Sequence, residues 1–239
     1  MNINKRFIAY FDLLGYRNFI KNNDVSKQYE VLSKIHVQIE TAINESKKYI
    51  EKSIFVVNDL NNEKVNFSNY SDTFIFWTNT DTKEEFDAIF NATIEINHRL
   101  NMNFFPVRGV LLYDELIPLN FSSKKTEYHI NTYFGKGLII AHDKAENQEW
   151  AGTYIDKSVF EIIELDVDQK NKCVEYDIPL KGGRFSKELA FKICLDNSED
   201  YIRNLKQSVE LTFVRNNKWD VKAQTKLNNT LAFLDFLAD

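Results

Sequence analysis

The sequence predicts an α/β fold of the α+β type, in which a ferredoxin-like βαββαβ core is followed by a hairpin arm and a C-terminal α/β extension. The order of β-prone and amphipathic segments up to Gln148 is that of a split βαβ sheet. The 239 residues include only 7 Gly and 3 Pro, which favours long regular elements, and 44% are hydrophobic, enough for one large core. We therefore predict a core in residues 1–150 and an extension, residues 151–239, packed on the same domain.

The first half of the core is predicted from its hydrophobic patterns. Residues 6–11 are aromatic and lack polar alternation, as expected for a central strand buried on both faces. A long helix follows, because apolar residues recur at three- and four-residue spacing between Leu32 and Ala42. Segments 53–57 and 64–77 are β-prone, and the second is predicted to fold into a hairpin.

The second half of the core repeats the alternation of helix and strand. A helix is predicted from about Thr82 to Asn101, followed by a strongly apolar strand at 104–113. Segment 127–135 is β-prone and completes the hairpin arm, and 136–148 has the pattern of a third helix. No internal repeat or flexible linker interrupts this order.

The extension is less periodic than the core. Residues 150–163 indicate a strand and then a short helix, and segments 173–180 and 188–195 indicate two further strands. Two helices, 199–215 and 221–238, are predicted to close the chain.

Charge, cysteine content and hydropathy limit the function classes. The net charge of −5 argues against an extended nucleic-acid interface, although a local site could still bind a small anion. Cys173 and Cys194 lack metal-ligand spacing, and we interpret them as buried apolar residues rather than a disulfide. The N-terminus lacks the apolar run of a signal peptide, and no stretch approaches the roughly 20 apolar residues of a membrane span. We expect a cytoplasmic protein that does not enter a membrane.

A single carboxylate, Asp12, stands at the end of the first predicted strand. A buried carboxylate is costly unless it is paired, hydrogen-bonded or bound to a cation. The residues that follow, Leu13 to Tyr16, could present free backbone N–H groups at a helix start, which suits an anion such as a triphosphate. The alternative is that Asp12 is an ordinary helix N-cap.

A second carboxylate, Asp72, stands at the predicted turn between two apolar strands, where an aspartate is common for reasons of turn chemistry alone. In a βαββαβ sheet, however, the first and third strands are central neighbours. The end of the first strand and the hairpin before the third should therefore meet. Two carboxylates brought together in this way would suit one or two Mg²⁺ or Mn²⁺ ions.

The sequence around Asp12 and Asp72 resembles that of the class III nucleotidyl cyclases. "YFDLLGY" is similar to their metal-binding F-x-D-I-x-G-F segment, and "YSDTFIFW" to their second metal-binding hairpin. "VRGVLLYDE" and "YFGKGLIIAHDKAE" resemble their later R-x-G strand and W-G helix. The resemblance spans about residues 6–150, with the motifs in the family's order.

The bacterial pyrimidine cyclases of Pycsar antiphage defence resemble the chain most. They share F-D-x-L-G, S-D-T, R-G and a segment similar to "AHDKAENQEWAG", residues 141–152. This resemblance implies conversion of UTP or CTP to a 3′,5′-cyclic nucleotide and pyrophosphate. It also implies a homodimer whose active sites are shared between subunits.

The resemblance further implies roles for individual residues. Asp12 and Asp72 would bind two Mn²⁺ or Mg²⁺ ions, with the Leu13 carbonyl as a possible further ligand. The backbone groups that would contact the triphosphate are those of Leu14, Gly15 and Tyr16. The base-reading positions fall on Ser68 and Thr132, neither of which is the Lys or Asp of an adenylyl-specific enzyme.

The chain also departs from the family pattern. The positions of the transition-state Asn and Arg of purine cyclases fall on Ile139 and Asp143, which cannot stabilise developing negative charge. Arg108 is the best candidate for the missing cation, because a guanidinium suits a triphosphate, and Lys136 at the start of a predicted helix is a second candidate.

Several alternatives stay open at the level of sequence. Arg108 could instead form an ion pair with Asp114 or Glu115, and Lys136 could be an ordinary solvated side chain. The whole chain could be a catalytically silent pseudo-cyclase that binds a nucleotide and acts as a sensor or partner-binding module. A purine cyclase with an unusual base pocket is a third possibility.

Overall fold

The computed structural model describes residues 5–44, 64–103, 105–123, 128–194, 199–216 and 221–238. The helices and strands of its N-terminal part are β1 (Lys5–Leu13), α1 (Tyr16–Asn22), α2 (Val25–Asn44), β2 (Asn66–Tyr70), β3 (Thr73–Trp77), α3 (Lys83–Asn103), β4 (Val107–Glu115), β5 (Ile117–Ser123), β6 (Tyr128–Phe134) and α4 (Lys136–Glu146). Those of its C-terminal part are β7 (Thr153–Ile155), a 3₁₀ turn (Lys157–Glu161), α5 (Val167–Asn171), β8 (Cys173–Leu180), β9 (Arg184–Phe191), α6 (Glu199–Asn216) and α7 (Val221–Ala238).

Seven of these strands form one sheet in the order β2-β3-β1-β4-β7-β9-β8. β1 lies between β3 and β4 and is antiparallel to both, which is the central arrangement expected for a βαββαβ core. β7 pairs in parallel with β4 and continues the sheet across residue 150, and β5 and β6 form a separate two-stranded arm. The predicted fold class is confirmed, whereas the domain boundary at residue 150 stays a prediction.

β1 is buried on both faces, which explains its lack of polar alternation. Phe7 and Phe11 face the core that includes residues of α2 and α3. Ile8 and Tyr10 face a second core, which includes residues of α4, α6 and α7. Two layers of helices thus cover the central strand, and its side chains alternate between two apolar cores.

One predicted strand is misplaced. The apolar run 188–195 suggested its position, but β9 begins earlier, at Arg184, and ends at Phe191. Gly182 and Gly183, in the three-residue loop between β8 and β9, both have positive φ angles, 77° and 70°, which glycine adopts without strain. This turn fixes where β9 begins, so the strand starts four residues before its predicted start.

Other local predictions had mixed outcomes. α1 begins at Tyr16, within the predicted helix start at Leu13 to Tyr16, whereas α5 was not predicted. The strand predicted at 53–57 lies outside the described residues. Cys173 and Cys194 are both buried and are not joined in a disulfide, as predicted. Within the described ranges, no helix is long and apolar enough to cross a membrane.

Candidate functional site

A cleft of about 560 Å³ opens where β1 ends and the chain turns into α1. The turn depends on Gly15, whose φ of 85° places it in the left-handed region. The residues of the N-terminal part that line the cleft are Asp12, Leu13, Leu14, Gly15, Tyr16, Arg17, Asn18, Asp72, Arg108, Glu146 and Glu149. The C-terminal part contributes Lys181, Gly182, Lys222 and Lys226.

The sheet brings Asp12 and Asp72 to the same cleft. Asp12 is paired with Thr73 across the β1–β3 ladder, and the N–H of Leu13 donates a hydrogen bond of 2.9 Å to the backbone oxygen of Asp72. Both side chains line the cleft. Their convergence follows from the central position of β1 beside β3, and their role as metal ligands stays a prediction.

Arg108 is buried against Asp12. Its side chain is 6% exposed, and its Nε donates to Asp12 Oδ2 at 2.8 Å. One terminal nitrogen donates to the backbone oxygens of Glu146 and Gln148, each at 3.0 Å, and the other approaches Glu146 Oε1 at 3.2 Å. Arg108 therefore contacts two carboxylates and two backbone carbonyl groups at the base of the cleft.

These contacts show that the alternative pairing of Arg108 was wrong. Its ionic partners are Asp12 and Glu146, rather than Asp114 or Glu115. The cause is strand register, because Arg108 lies directly opposite Asp12 on the neighbouring strand and so shares its face.

The electrostatics of Asp12 leave it suited to a further cation. Burial raises the pKa of Asp12, and the adjacent Arg108 offsets only part of that effect. Arg108 contacts the Oδ2 oxygen of Asp12, so a second cation could approach the other oxygen. Asp72 is partly exposed, and its carboxylate pairs with no other side chain among the described residues.

The residues present fit a metal that arrives with a phosphate ligand. Within the described ranges, no group of three or more His, Cys, Asp or Glu residues could hold an ion alone. Mg²⁺ is commonly bound by one or two carboxylates together with substrate phosphates and water. Asp12 and Asp72 supply those two carboxylates.

The backbone groups predicted to contact a triphosphate are only partly available. The N–H of Leu14 already donates to the backbone oxygen of Pro106 at 2.8 Å. The carbonyl of Gly15 accepts from Asn18 and Phe19, as expected at a helix start. Phosphate contacts from this turn would therefore come from the N–H groups of Gly15 and Tyr16.

The other predicted site residues lie outside the cleft. Ser68 is hydrogen-bonded to the hydroxyl of Tyr133, Thr132 is exposed on β6, and Lys136 is exposed at the first residue of α4. Ile139, on the same helix, is 65% exposed. The predicted residues thus divide into one group in the cleft and another on the surface of β2, β6 and α4.

Three lysines of the C-terminal part line the cleft and were not predicted. Lys181 pairs with Glu146, and Lys226 Nζ lies 3.3 Å from Glu149 Oε1. Lys222 is exposed and has no partner among the described residues. The one sequence signal for this group is the four-residue spacing of Lys222 and Lys226, which places both on one face of a helix.

Solved structures with the same fold are cyclase domains. The chain is similar to the dimeric guanylyl cyclase domain of the RhoGC fusion protein from Blastocladiella emersonii, with TM-score 0.54 and 12% identity over 78% of this chain and 96% of that one. It is also similar to the adenylyl cyclase CyaB from P. aeruginosa (TM-score 0.53, 11% identity, 82% and 96% covered) and to the guanylyl cyclase Cya2 (0.52, 10%, 79% and 90%).

Sequence comparison alone does not reach this relationship, since no protein-family model and no curated protein matches the chain. The three similar structures share at most 12% identity with it, so the likeness is one of backbone architecture. This chain has the fold of the adenylyl and guanylyl cyclase catalytic domains.

Proposed function

We propose that this chain is a nucleotidyl cyclase, which converts a nucleoside triphosphate into a 3′,5′-cyclic nucleotide and pyrophosphate. The observation that carries the proposal is the pair Asp12 and Asp72, which line one cleft together with cationic side chains in a cyclase fold. In the reaction, the 3′-oxygen forms a bond to the α-phosphorus, and the bond from that phosphorus to the bridging oxygen of the β-phosphate breaks. Pyrophosphate leaves with the electron pair, and the hydroxyl proton passes to water.

The chain's own residues would hold and orient the reactants. Asp12 and Asp72 would bind two Mg²⁺ or Mn²⁺ ions, which neutralise phosphate charge and favour ionisation of the 3′-hydroxyl when bound. Arg108 positions Asp12 through the 2.8 Å hydrogen bond and adds positive charge at the base of the cleft. Its burial makes it a fixed part of the site, with no need to reorient during the reaction.

We propose UTP or CTP as the substrate and antiphage defence as the setting. The support is the resemblance of the motifs around Asp12, Asp72 and Arg108 to those of the Pycsar cyclases. In addition, neither Ser68 nor Thr132, at the expected base-reading positions, is the Lys or Asp of an adenylyl-specific enzyme.

A homodimer would account for the residues that lie outside the cleft. Tyr70, Phe134 and Ile139 are at least half-exposed apolar side chains on β2, the arm and α4. Exposed apolar residues of this kind favour a protein interface. In a dimer formed through this surface, Thr132 and Lys136 would act in the cleft of the second copy.

A catalytically silent pseudo-cyclase is the second candidate. Two observations favour it. Ile139 and Asp143 stand where purine cyclases have their transition-state Asn and Arg, and Arg108 already occupies one oxygen of Asp12. Such a protein would bind nucleotide in the same cleft without turnover.

The test is incubation of the purified protein with Mn²⁺ and each of ATP, GTP, CTP and UTP, with cyclic products read by mass spectrometry. We expect a cyclic pyrimidine nucleotide from the wild type and none from Asp72→Ala. That variant should keep its melting temperature, because Asp72 has no side-chain partner among the described residues. Asp168→Ala, which removes an exposed carboxylate on α5, is the matched control and should retain full activity.

Each other outcome decides against part of the proposal. Unchanged turnover in Asp72→Ala would exclude the metal assignment. A cyclic purine product would exclude the pyrimidine assignment. Nucleotide binding without any cyclic product would favour the pseudo-cyclase.

A further inference from the structure

We infer that helix α7 forms a polyphosphate-binding wall of the cleft, in which Lys222 and Lys226 bind the β- and γ-phosphates of the substrate. This inference deepens the proposed function and relies on it for the identity of the ligand. It assigns a binding role to the C-terminal extension within the same subunit that supplies Asp12 and Asp72.

Helix α7 is held firmly against the base of the cleft. Asn229 Nδ2 donates to the backbone oxygen of Glu149 at 2.7 Å, and the N–H of Ala151 donates to Thr230 Oγ1 at 2.8 Å. Thr230 is fully buried, and Leu227 and Phe233 of the same helix belong to the adjacent core. The first turns of α7, which carry the two lysines, are therefore fixed relative to the 149–151 segment.

The same segment of chain adjoins the Arg108 site. Arg108 donates to the backbone oxygen of Gln148, which immediately precedes Glu149. Hydrogen bonds from α7 and from Arg108 thus meet on the same short segment, residues 148–151, and Arg108 in turn contacts Asp12. The distance between the lysines and the carboxylates is set by packed structure, as a preorganised binding site requires.

The charges that remain unpaired in the cleft match a cation–polyphosphate complex. Arg108, Lys181 and Lys226 each have a carboxylate partner. Among the described residues, Asp72 is left as an unpaired anion, and Arg17 and Lys222 are left as unpaired cations. A free carboxylate suits a divalent cation, and free cations suit the oxygens of a phosphate chain.

The ion pair of Lys226 with Glu149 is longer than expected for a side chain as buried as that of Lys226. Its side chain is only 15% exposed, yet Nζ lies 3.3 Å from Glu149 Oε1, longer than a strong charge-assisted hydrogen bond. Phosphate oxygens could use the remaining donors of this ammonium group, which has three. A cleft of about 560 Å³ is in the size range of small-molecule sites, and the net charge of −5 argues against a nucleic-acid polymer.

The experiment is calorimetric titration of the full-length protein with inorganic tripolyphosphate, which contains no base and so is independent of nucleotide specificity. The variants are Lys222→Ala, Lys226→Gln and the double variant. Each single change should weaken binding about tenfold, and the double change by more, since each removes a charge-assisted contact. Lys222→Arg should restore most of the affinity.

Lys187→Ala is the matched control, because it removes an exposed lysine of β9 that pairs with Glu175 and does not line the cleft. It should change tripolyphosphate binding less than twofold. The affinities of the variants for inorganic monophosphate should differ much less than their affinities for tripolyphosphate. Melting temperatures of all variants establish that the comparison is between folded proteins.

The inference is overturned if the wild type does not bind tripolyphosphate, or if the double variant binds it within twofold of the wild type. Turnover of nucleoside triphosphates by the same proteins separates this result from the proposed function. If tripolyphosphate binding depends on the lysines but no cyclic product forms, the role of α7 in phosphate binding stands and the cyclase activity is rejected. If the double variant forms cyclic product with the KM of the wild type, the cyclase activity stands and the role of α7 in phosphate binding is rejected.

Discussion

Replacement of Arg108 tests whether the ion pair at the base of the cleft is as buried as its geometry indicates. Arg108→Met keeps much of the side-chain volume but removes all the donors. Asp12, 18% exposed in its side chain, then loses its charged partner, and the backbone oxygens of Glu146 and Gln148 lose a donor. Removal of one partner from a buried pair typically costs about 3–5 kcal/mol. We expect the free energy of unfolding to fall by about 3 kcal/mol.

The assay is equilibrium urea denaturation, arranged as a double-mutant cycle with Asp12→Asn. Arg108→Met leaves Asp12 without its counter-charge, and Asp12→Asn leaves the buried Arg108 with only the more exposed Glu146 as an ionic partner. The double variant removes both charges of the buried pair. The loss in the double variant should therefore be smaller than the sum of the two single losses, by about 2 kcal/mol. Arg108→Lys keeps the charge but not the forked geometry, and should fall between the wild type and Arg108→Met.

An exposed pair provides the matched comparison. Lys187 and Glu175 lie 2.8 Å apart, similar to the Arg108–Asp12 distance, but both side chains are largely in water. Lys187→Met should leave the free energy of unfolding nearly unchanged, because water already screens this pair. If Arg108→Met cost no more than this control, or if the Arg108 and Asp12 changes were additive, the reasoning from burial would be refuted.

Two further predictions concern the sheet and its acid stability. Gly109→Ala should destabilise the protein by about 1–3 kcal/mol in the same assay, because a Cβ at this position would lie 2.7 Å from the Phe11 ring; an unchanged unfolding midpoint would contradict it. Asp156 is buried, and although burial alone raises its pKa, the Lys144 ion pair at 2.7 Å and the hydrogen bonds from Ser158 lower it overall. A lowered native pKa means that the carboxylate stabilises the fold above the unfolded value of about 3.8 and that this contribution is lost as the pH falls below it. Asp156→Asn should therefore flatten the fall in stability between neutral and acid pH, and a profile parallel to that of the wild type would count against the assignment.

The fold was predictable where local patterns and topology agree. The lack of polar alternation in residues 6–11 indicated a strand covered on both sides, and β1 lies between β3 and β4 with a core on each face. The pattern failed at β9, because the start of that strand is set by the backbone of Gly182 and Gly183 rather than by its apolar residues. Hydrophobicity locates a core, whereas turn geometry decides where a strand begins.

The candidate site was predictable only through the sheet. Asp12 and Asp72 are sixty residues apart in sequence, and the expected adjacency of the first and third strands was enough to bring them together. For Arg108, the sequence offered nearby acids as partners, but the actual acceptors are 96 and 38 residues away. Strand register, which a sequence of this kind does not reveal by itself, selects the partner.

The positions of the three lysines of the C-terminal part depend on more than the register of neighbouring strands. Lys181 reaches the cleft through the β8–β9 turn, and Lys222 and Lys226 reach it because α7 docks on residues 149–151. Both placements depend on β7 adding in parallel to β4, a connection that carries the extension back along the core sheet. No short-range pattern encodes that step, so a division of the chain at residue 150 separates cations from the carboxylates with which they share a cleft. If α7 binds the phosphates, the extension is part of the nucleotide site, and the two predicted parts of the chain function as one unit.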